Sequence, residues 1–201
     1  MTIAERITLG WRSAKKNFFK GISEIRRFPP SLCVCLCLKF CEALSYFLVS
    51  QILVIHLHSE YGFDDVDAGF IYGIWGLCIT TFGMLLSPIN DHMGPRKSML
   101  CGFSISAIGY LSLALNTSKE GLYFLLYCVI PFGSCLGIPM LTIAVKRLTD
   151  SQNRGIAFGA FYWAMNVAAL VAGPTVDFFN IGAEPDDIYA AGLTGNRWVI
   201  M

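Results

Sequence analysis

The chain has 201 residues, of which 55% are hydrophobic and 14% are charged, and its mean hydropathy is +0.57. A soluble domain carries about 25% charged residues, so this composition excludes an ordinary water-soluble enzyme, and the high apolar content excludes a disordered chain. Fifteen basic residues stand against fourteen acidic ones, which leaves no overall basic field for binding nucleic acid.

Residues 1–29 combine seven basic side chains with apolar residues at roughly helical spacing. This pattern predicts a cytoplasmic amphipathic segment that lies on an anionic membrane surface. A partly ordered cytosolic tail and a cleaved organelle presequence fit the same residues.

Five apolar stretches follow, each long enough to cross the bilayer as a helix of about 20 residues. They cover residues 31–57, 68–89, 98–115, 121–145 and 155–176. A sixth stretch begins at Trp198, so we expect residues 177–201 to form an extracytoplasmic loop and the cut-off start of a sixth helix. The predicted fold class is therefore all-α: a polytopic helical bundle in the lipid bilayer, with its five spans in residues 30–176.

Charged residues divide unevenly between the two sides of this bundle. If residues 1–29 and the loops after the second and fourth spans share one side, that side carries twelve basic and four acidic residues. The other side carries two basic and nine acidic residues. The positive-inside rule then predicts a multi-pass membrane protein with a cytoplasmic N-terminus.

Lys39 and Glu42 are ionisable residues inside a predicted span. An ionisable side chain at a helix centre costs roughly 2.5–3.5 kcal/mol on insertion scales, so both need a reason to be there. At 100° per residue they share one stripe of the first helix with Cys35, Tyr46 and Ser50. The stripe is interpreted either as the lining of a solute pathway or as a neutralised pair that offsets its own burial. In the first interpretation Glu42 takes up a proton or contacts the solute, and Lys39 is its partner.

The eight cysteines all lie within apolar runs, where cysteine behaves as a small hydrophobe. The sequence contains no CxxC pair, and its histidines and cysteines lack the spacing of a metal site. We therefore predict no metal, no cofactor and no catalytic constellation, which argues against an enzyme.

Pairs of glycines four residues apart favour close approach of membrane helices. Three spans contain such a pair: Gly69 and Gly73, Gly133 and Gly137, and Gly155 and Gly159.

The loop between the second and third spans, residues 87–97, reads SPINDHMGPRK. It resembles the G-x-L-a-D-r-x-G-r-k signature of the major facilitator superfamily. Asp91, Gly94 and Arg96 match it, whereas Ser87 and Pro95 depart from it. Gly94 is expected to take a positive φ in this tight reversal.

Two further stretches resemble the proton-coupled oligopeptide branch of that superfamily. Residues 161–170, FYWAMNVAAL, are similar to the pattern F-Y-x-x-I-N-x-G-S-L and include Tyr162 and Asn166. Glu42 and Tyr46 match the end of E-x-x-E-R-F-x-Y-Y, but Lys39 replaces its first acid and Ala43 its arginine. Because these departures affect groups used for proton coupling and for binding the peptide carboxylate, peptide specificity is not carried over.

The resemblance implies a secondary transporter, or the N-terminal half of one, that moves a small organic solute by alternating access, with or without coupling to protons. The implied substrate or coupling residues are Lys39, Glu42, Tyr46, Tyr162 and Asn166, and the implied cytoplasmic gate residues are Asp91, Gly94, Arg96, Lys97 and Arg154. The implied partners are a missing C-terminal half or a second copy. The alternative is a structural or scaffold subunit that keeps the fold and transports nothing.

Overall fold

The computed structural model describes residues 28–180 and 195–200. They form helices α1 (Pro30–Tyr61), α2 (Asp65–Leu85), α3 (Ser87–Met93), α4 (Pro95–Leu115), α5 (Lys119–Arg147), α6 (Arg154–Asn180) and α7 (Gly195–Ile200). Five of these, α1, α2, α4, α5 and α6, are long and apolar enough to cross a membrane. The predicted all-α polytopic bundle is thereby confirmed. The amphipathic segment predicted for residues 1–29 and most of the loop predicted for 177–201 lie outside the described residues.

The second span ends at Leu85, earlier than the predicted residue 89. Pro88 explains the difference, because proline has no N–H to donate and its ring collides with the carbonyl of the preceding turn. The helix is interrupted at Leu86, and the chain continues as the short helix α3. It then reverses at Gly94, whose φ of 77° is the positive value expected there.

Helix α5 contains a π-helical turn at Leu125–Val129, in which the N–H of Ile130 donates to the carbonyl of Leu125. Pro131 follows at once and cannot donate to the carbonyl four residues back. The wider π-helical turn lets the helix continue through Pro131 without a break.

The most extensive helix packing joins α4 to α5 and α1 to α6. Between α4 and α5 the backbones touch: a Cβ built on Gly102 would strike the backbone of Gly137, and one on Gly133 would lie 2.7 Å from the backbone nitrogen of Ser106. The close approach predicted for Gly133 and Gly137 is therefore confirmed.

The other two glycine pairs behave differently. A Cβ on Gly69, Gly73, Gly155 or Gly159 would meet no atom within 4 Å in the described part of the chain. The prediction of close packing is wrong for these pairs within that part, because α2 and α6 turn these faces away from their neighbours.

Apolar clusters fill the two ends of the bundle. One joins α1 residues from Val49 to Tyr61 with Trp75, Leu113 and Leu126. The other joins Leu32 and Cys35 with residues of α5 and α6. We name the first the Glu60 end, which also carries Asn116 and Arg197, and the second the Asp91 end, which also carries Arg96 and Asp150.

Candidate functional site: a cavity beside a membrane ion pair

A cavity of about 240 Å³ lies between α1, α4 and α5. Its wall is largely apolar or aromatic, with contributions from Leu38, Phe103 and Ile138. Its polar members are one carboxylate, two phenols and three serines: Glu42, Tyr46, Tyr110, Ser45, Ser106 and Ser134. Along α1 the cavity falls between the two apolar clusters, so the fold places it at mid-depth of the bundle.

Lys39 and Glu42 form an ion pair beside this cavity. The Lys39 Nζ donates to the Glu42 Oε2 at 2.7 Å, and the two side chains are 9% and 13% exposed. The same Nζ lies 5.4 Å from the centre of the Phe161 ring on α6, within the range of a cation–π contact. Lys39 is thus held from two directions, and only Glu42 of the pair reaches the cavity wall.

The polar stripe expected along α1 divides between three environments. Cys35 is buried in the apolar cluster of the Asp91 end. Glu42 and Tyr46 line the cavity, and the Ser50 hydroxyl lies 2.7 Å from the Tyr72 hydroxyl of α2. The stripe therefore supplies two residues to the cavity rather than a continuous lining.

The opposite wall of the cavity comes from residues that the sequence did not single out. The Ser106 hydroxyl of α4 is buried and has no hydrogen-bond partner within the described part of the chain. Tyr110 of α4 and Ser134 of α5 line the same cavity. The sequence did contain one indication of this wall: Ser106 and Tyr110 are four residues apart, which places two polar side chains on one face of the otherwise apolar helix α4.

Aromatic rings surround the α1 side of the site. Tyr46 stacks on Trp75 of α2 with ring centres 5.7 Å apart. Trp75 in turn meets Tyr72 edge-on at 5.7 Å. Since Trp75 is 1% exposed, it fixes the position of the Tyr46 ring at the cavity wall.

Tyr162 and Asn166 lie elsewhere, on an exposed face of α6. The Asn166 amide donates to the Tyr162 backbone carbonyl at 2.9 Å. Neither residue lines the cavity, so the structure does not bring them together with Glu42.

The predicted gate residues cluster at the Asp91 end. Asp91, Arg96 and Lys97 are exposed, and within the described residues Asp91 makes no ion pair with Arg96, the partner that the sequence had suggested. Gly94 forms the turn between them, and Arg154 donates to the Thr149 carbonyl at 3.4 Å.

The same end contains a contact that the sequence did not reveal. The buried Asn90 amide donates to the Cys135 carbonyl of α5 at 2.9 Å. That carbonyl lacks its usual helical donor because the residue four positions later is Pro139. Asn90 thus ties the loop helix α3 to the proline position of α5.

Polar contacts hold the Glu60 end together. Arg197 of α7 donates to Glu60 at 3.0 and 3.1 Å and to the Ala114 carbonyl at 3.4 Å. The Tyr61 hydroxyl donates to the Asn116 carbonyl at 2.9 Å. Helices α1, α4 and α7 are joined by these bonds.

In the described ranges, no three His, Cys, Asp or Glu side chains lie close enough to hold a metal ion.

The family model for the Major Facilitator Superfamily matches residues 35–180. The chain belongs to this superfamily. The resemblance drawn from the loop at residues 87–97 is confirmed, and the five membrane-length helices make this superfamily member a multi-pass integral membrane protein.

Similar curated proteins include peptide transporters and a multidrug resistance protein. Peptide transporter 3 of Caenorhabditis elegans is 29% identical over 163 residues, which are 75% of this chain and 23% of that protein. Multidrug resistance protein MdtH of Photorhabdus laumondii is 26% identical over 64% of this chain and 32% of its own length. Dipeptide and tripeptide permease B of Shigella dysenteriae is 23% identical over 65% of this chain and 27% of that protein. This superfamily member therefore spans between about a quarter and a third of the length of these relatives.

Proposed function

We propose that the protein is a secondary transporter that moves a small organic solute across a membrane by alternating access, with the described helices forming its N-terminal bundle. The observation that carries the proposal is the buried Lys39–Glu42 pair beside a cavity between membrane helices. Ionisable residues in a membrane interior mark solute or ion pathways when they face a cavity instead of lipid. Glu42 meets that condition.

Glu42 is the proposed coupling group. From the start of α1, Glu42 lies about 18 Å along a helix that rises 1.5 Å per residue, so its carboxylate sits deep in the hydrocarbon region. A carboxylate there requires a compensating positive charge. Lys39 supplies it at 2.7 Å; a proton or a solute is an alternative source. If Glu42 exchanges Lys39 for a proton or for the solute, the movement of the solute is coupled to the movement of the proton. Tyr46 lies beside Glu42 at the cavity wall.

The exposed faces of α2 and α6 are the proposed contact with a second bundle, either the rest of a longer protein or a second copy. On α6, Gly155, Gly159, Tyr162 and Asn166 share a face about 60° wide at 100° per residue. An exposed amide and phenol there match a protein neighbour better than lipid. In this arrangement Tyr162 and Asn166 face the second bundle and the solute path between the two.

The Asp91 end is the proposed cytoplasmic gate. The loop that matches the superfamily signature presents Asp91, Arg96 and Lys97 to solvent, and Arg154 lies at the same end. These charges are available to pair with the second bundle when the cavity closes on that side.

The test is uptake into proteoliposomes by the full-length protein. The probes are a radiolabelled dipeptide and D-arabinitol, which the names of a dipeptide and tripeptide permease and of a D-arabinitol transporter among the relatives suggest, and an organic cation, chosen because a carboxylate lines the cavity. We expect accumulation of at least one probe under an imposed proton gradient, and loss of its pH dependence in Glu42→Gln. The control is Asp64→Asn, an exposed carboxylate far from the cavity along α1 and α2. If no probe accumulates, the scaffold interpretation replaces the transporter; if Glu42→Gln keeps both rate and pH dependence, Glu42 is not the coupling group.

A further inference from the structure

We infer that the solute bound in this cavity is an organic cation with an apolar or aromatic body, and not a peptide or another molecule that carries a carboxylate. This inference rests on the proposed function and specifies its substrate class. Three independent features of the wall support it: its charge, its aromatic rings and the way in which it already holds Lys39.

The charge of the wall selects against anions. Among the described residues, Glu42 is the charged side chain that lines the cavity. Lys39 does not line the cavity, and its charge is paired with Glu42 at 2.7 Å. A solute carboxylate in the cavity would therefore face the Glu42 carboxylate and no basic side chain of the lining, because Lys39 lies beside the cavity and is already paired; in an interior of low effective dielectric that repulsion is larger than in water. A solute cation would meet its counter-ion.

The rings of the wall favour the same sign of charge. Tyr46, Phe103 and Tyr110 all line the cavity. Aromatic faces attract ammonium groups, and cages built from them bind quaternary ammonium ligands. One carboxylate, three aromatic side chains and an otherwise apolar surface together form a site for a cation with an apolar body. The buried Ser106 hydroxyl, which has no partner in the described chain, adds one hydrogen-bonding group at this wall.

The contacts of Lys39 leave its ammonium group a second partner if a solute cation pairs with Glu42. Its ammonium group is held by the Glu42 carboxylate at 2.7 Å and lies 5.4 Å from the Phe161 ring centre. If a solute cation takes its place on Glu42, Lys39 keeps the contact with Phe161. Lys39 then competes with the solute for the Glu42 carboxylate, so substitution of Lys39 should strengthen binding of the solute cation.

The experiment measures equilibrium binding to the full-length protein in nanodiscs, with protein-free nanodiscs to subtract partitioning into lipid. The probes are benzyltrimethylammonium, its neutral isostere neopentylbenzene, in which carbon replaces the charged nitrogen, and the zwitterionic dipeptide glycylsarcosine. We expect the cation to bind at least about tenfold more tightly than the isostere. Glycylsarcosine should not displace it.

Two variants give opposite expected shifts. Glu42→Gln should weaken cation binding at least about tenfold and leave the isostere unchanged, because only the charge of the wall is removed. Lys39→Gln should strengthen cation binding, because the competing ammonium is lost. The double variant lacks the carboxylate without leaving an unpaired buried charge; it should bind the cation no more tightly than the isostere, and it provides the test if the single variant does not fold.

Displacement by the dipeptide, equal affinity for the cation and its isostere, or weaker cation binding in Lys39→Gln would each overturn the inference. Because binding is measured without transport, the two proposals fail separately. Cation binding without accumulation of any probe by proteoliposomes contradicts the transporter, whereas accumulation of another solute without cation binding contradicts the substrate class alone.

Discussion

The two ends of the bundle satisfy their polar groups in different ways. At the Glu60 end, Arg197 pairs with Glu60 and bonds to α4, and Tyr61 bonds to Asn116. At the Asp91 end, the exposed Asp91 and Arg96 form no ion pair with each other within the described residues. The fastening there comes instead from apolar packing, from the glycine contact between α4 and α5, and from one buried amide.

This difference assigns the paired charges of the Glu60 end to stability and the exposed charges of the Asp91 end to the proposed function. Charges that pair within the chain hold its helices together, so their loss should unfold the Glu60 end. Charges that remain exposed stabilise little, so their loss should leave the fold intact and affect a step that needs another partner. Four substitutions test this contrast, from the largest expected effect to the smallest.

Arg197→Met should destabilise the protein by about 3 kcal/mol, because it removes the two charged hydrogen bonds that Arg197 donates to the partly buried Glu60 carboxylate. The measurement is the free energy of unfolding in detergent. Adding Glu60→Gln to the same chain should recover much of the loss, because the carboxylate charge that Arg197 had paired is then removed as well. No change in either variant would mean that α7 is not fastened by this pair.

Gly102→Ala should cost about 2 kcal/mol, because its methyl group would collide with the backbone of Gly137 and force α4 and α5 apart. The matched control is Gly73→Ala on α2, where a Cβ meets no described atom within 4 Å; its effect should stay within about 0.5 kcal/mol. Thermal unfolding of the two variants makes the comparison. Equal losses would contradict the assignment of the close contact to α4 and α5.

Asn90→Ala should cost about 1 kcal/mol, the net contribution of one buried hydrogen bond. A double-mutant cycle identifies the reason. Pro139→Ala restores a backbone donor for the Cys135 carbonyl, so in that background Asn90→Ala should cost less. Independent effects of the two substitutions would show that Asn90 does not compensate for the proline.

Asp91→Asn should change stability by less than about 0.5 kcal/mol, because the carboxylate is exposed. Uptake by the full-length protein, assayed with whichever probe accumulates, should fall nonetheless, because the proposed gate loses a charge. A stability loss as large as that of Arg197→Met would mean that the two ends do not differ in the way described.

The fold could be predicted from sequence because bilayer thickness and backbone chemistry leave few alternatives. Long apolar stretches without charges indicate membrane spans. Because charged residues are rare within such spans, Lys39 and Glu42 indicate a polar site in the first one. The reversal at Gly94 followed from the absence of a Cβ. The end of the second span was misplaced because hydropathy runs on past Leu85, whereas the backbone is interrupted by Pro88.

The cavity itself required tertiary structure. Ser106, Tyr110 and Ser134 lie on helices that are apolar on most sides, so no periodicity shows which face meets α1. Arg197 and Glu60 are 137 positions apart, and nothing local links them. The glycine pairs illustrate the same limit, since identical spacing is tightly packed on α5 but meets no atom within 4 Å on α2 and α6 in the described part of the chain.

The central claim is that Glu42 faces a water-accessible cavity between membrane helices. Cys41 lines that cavity, whereas Cys128 lies on an apolar outer groove beside Phe82 and Phe132. The direct measurement compares two full-length variants, each keeping one of these cysteines and carrying serine at the others, after treatment with a water-soluble methanethiosulfonate reagent in membranes. Modification of Cys41 with protection of Cys128 is the expected result. If Cys41 is unreactive, and a fluorophore attached to it through a membrane-permeant maleimide is quenched by spin labels on the lipid acyl chains, this face of α1 lies in lipid and the account is contradicted.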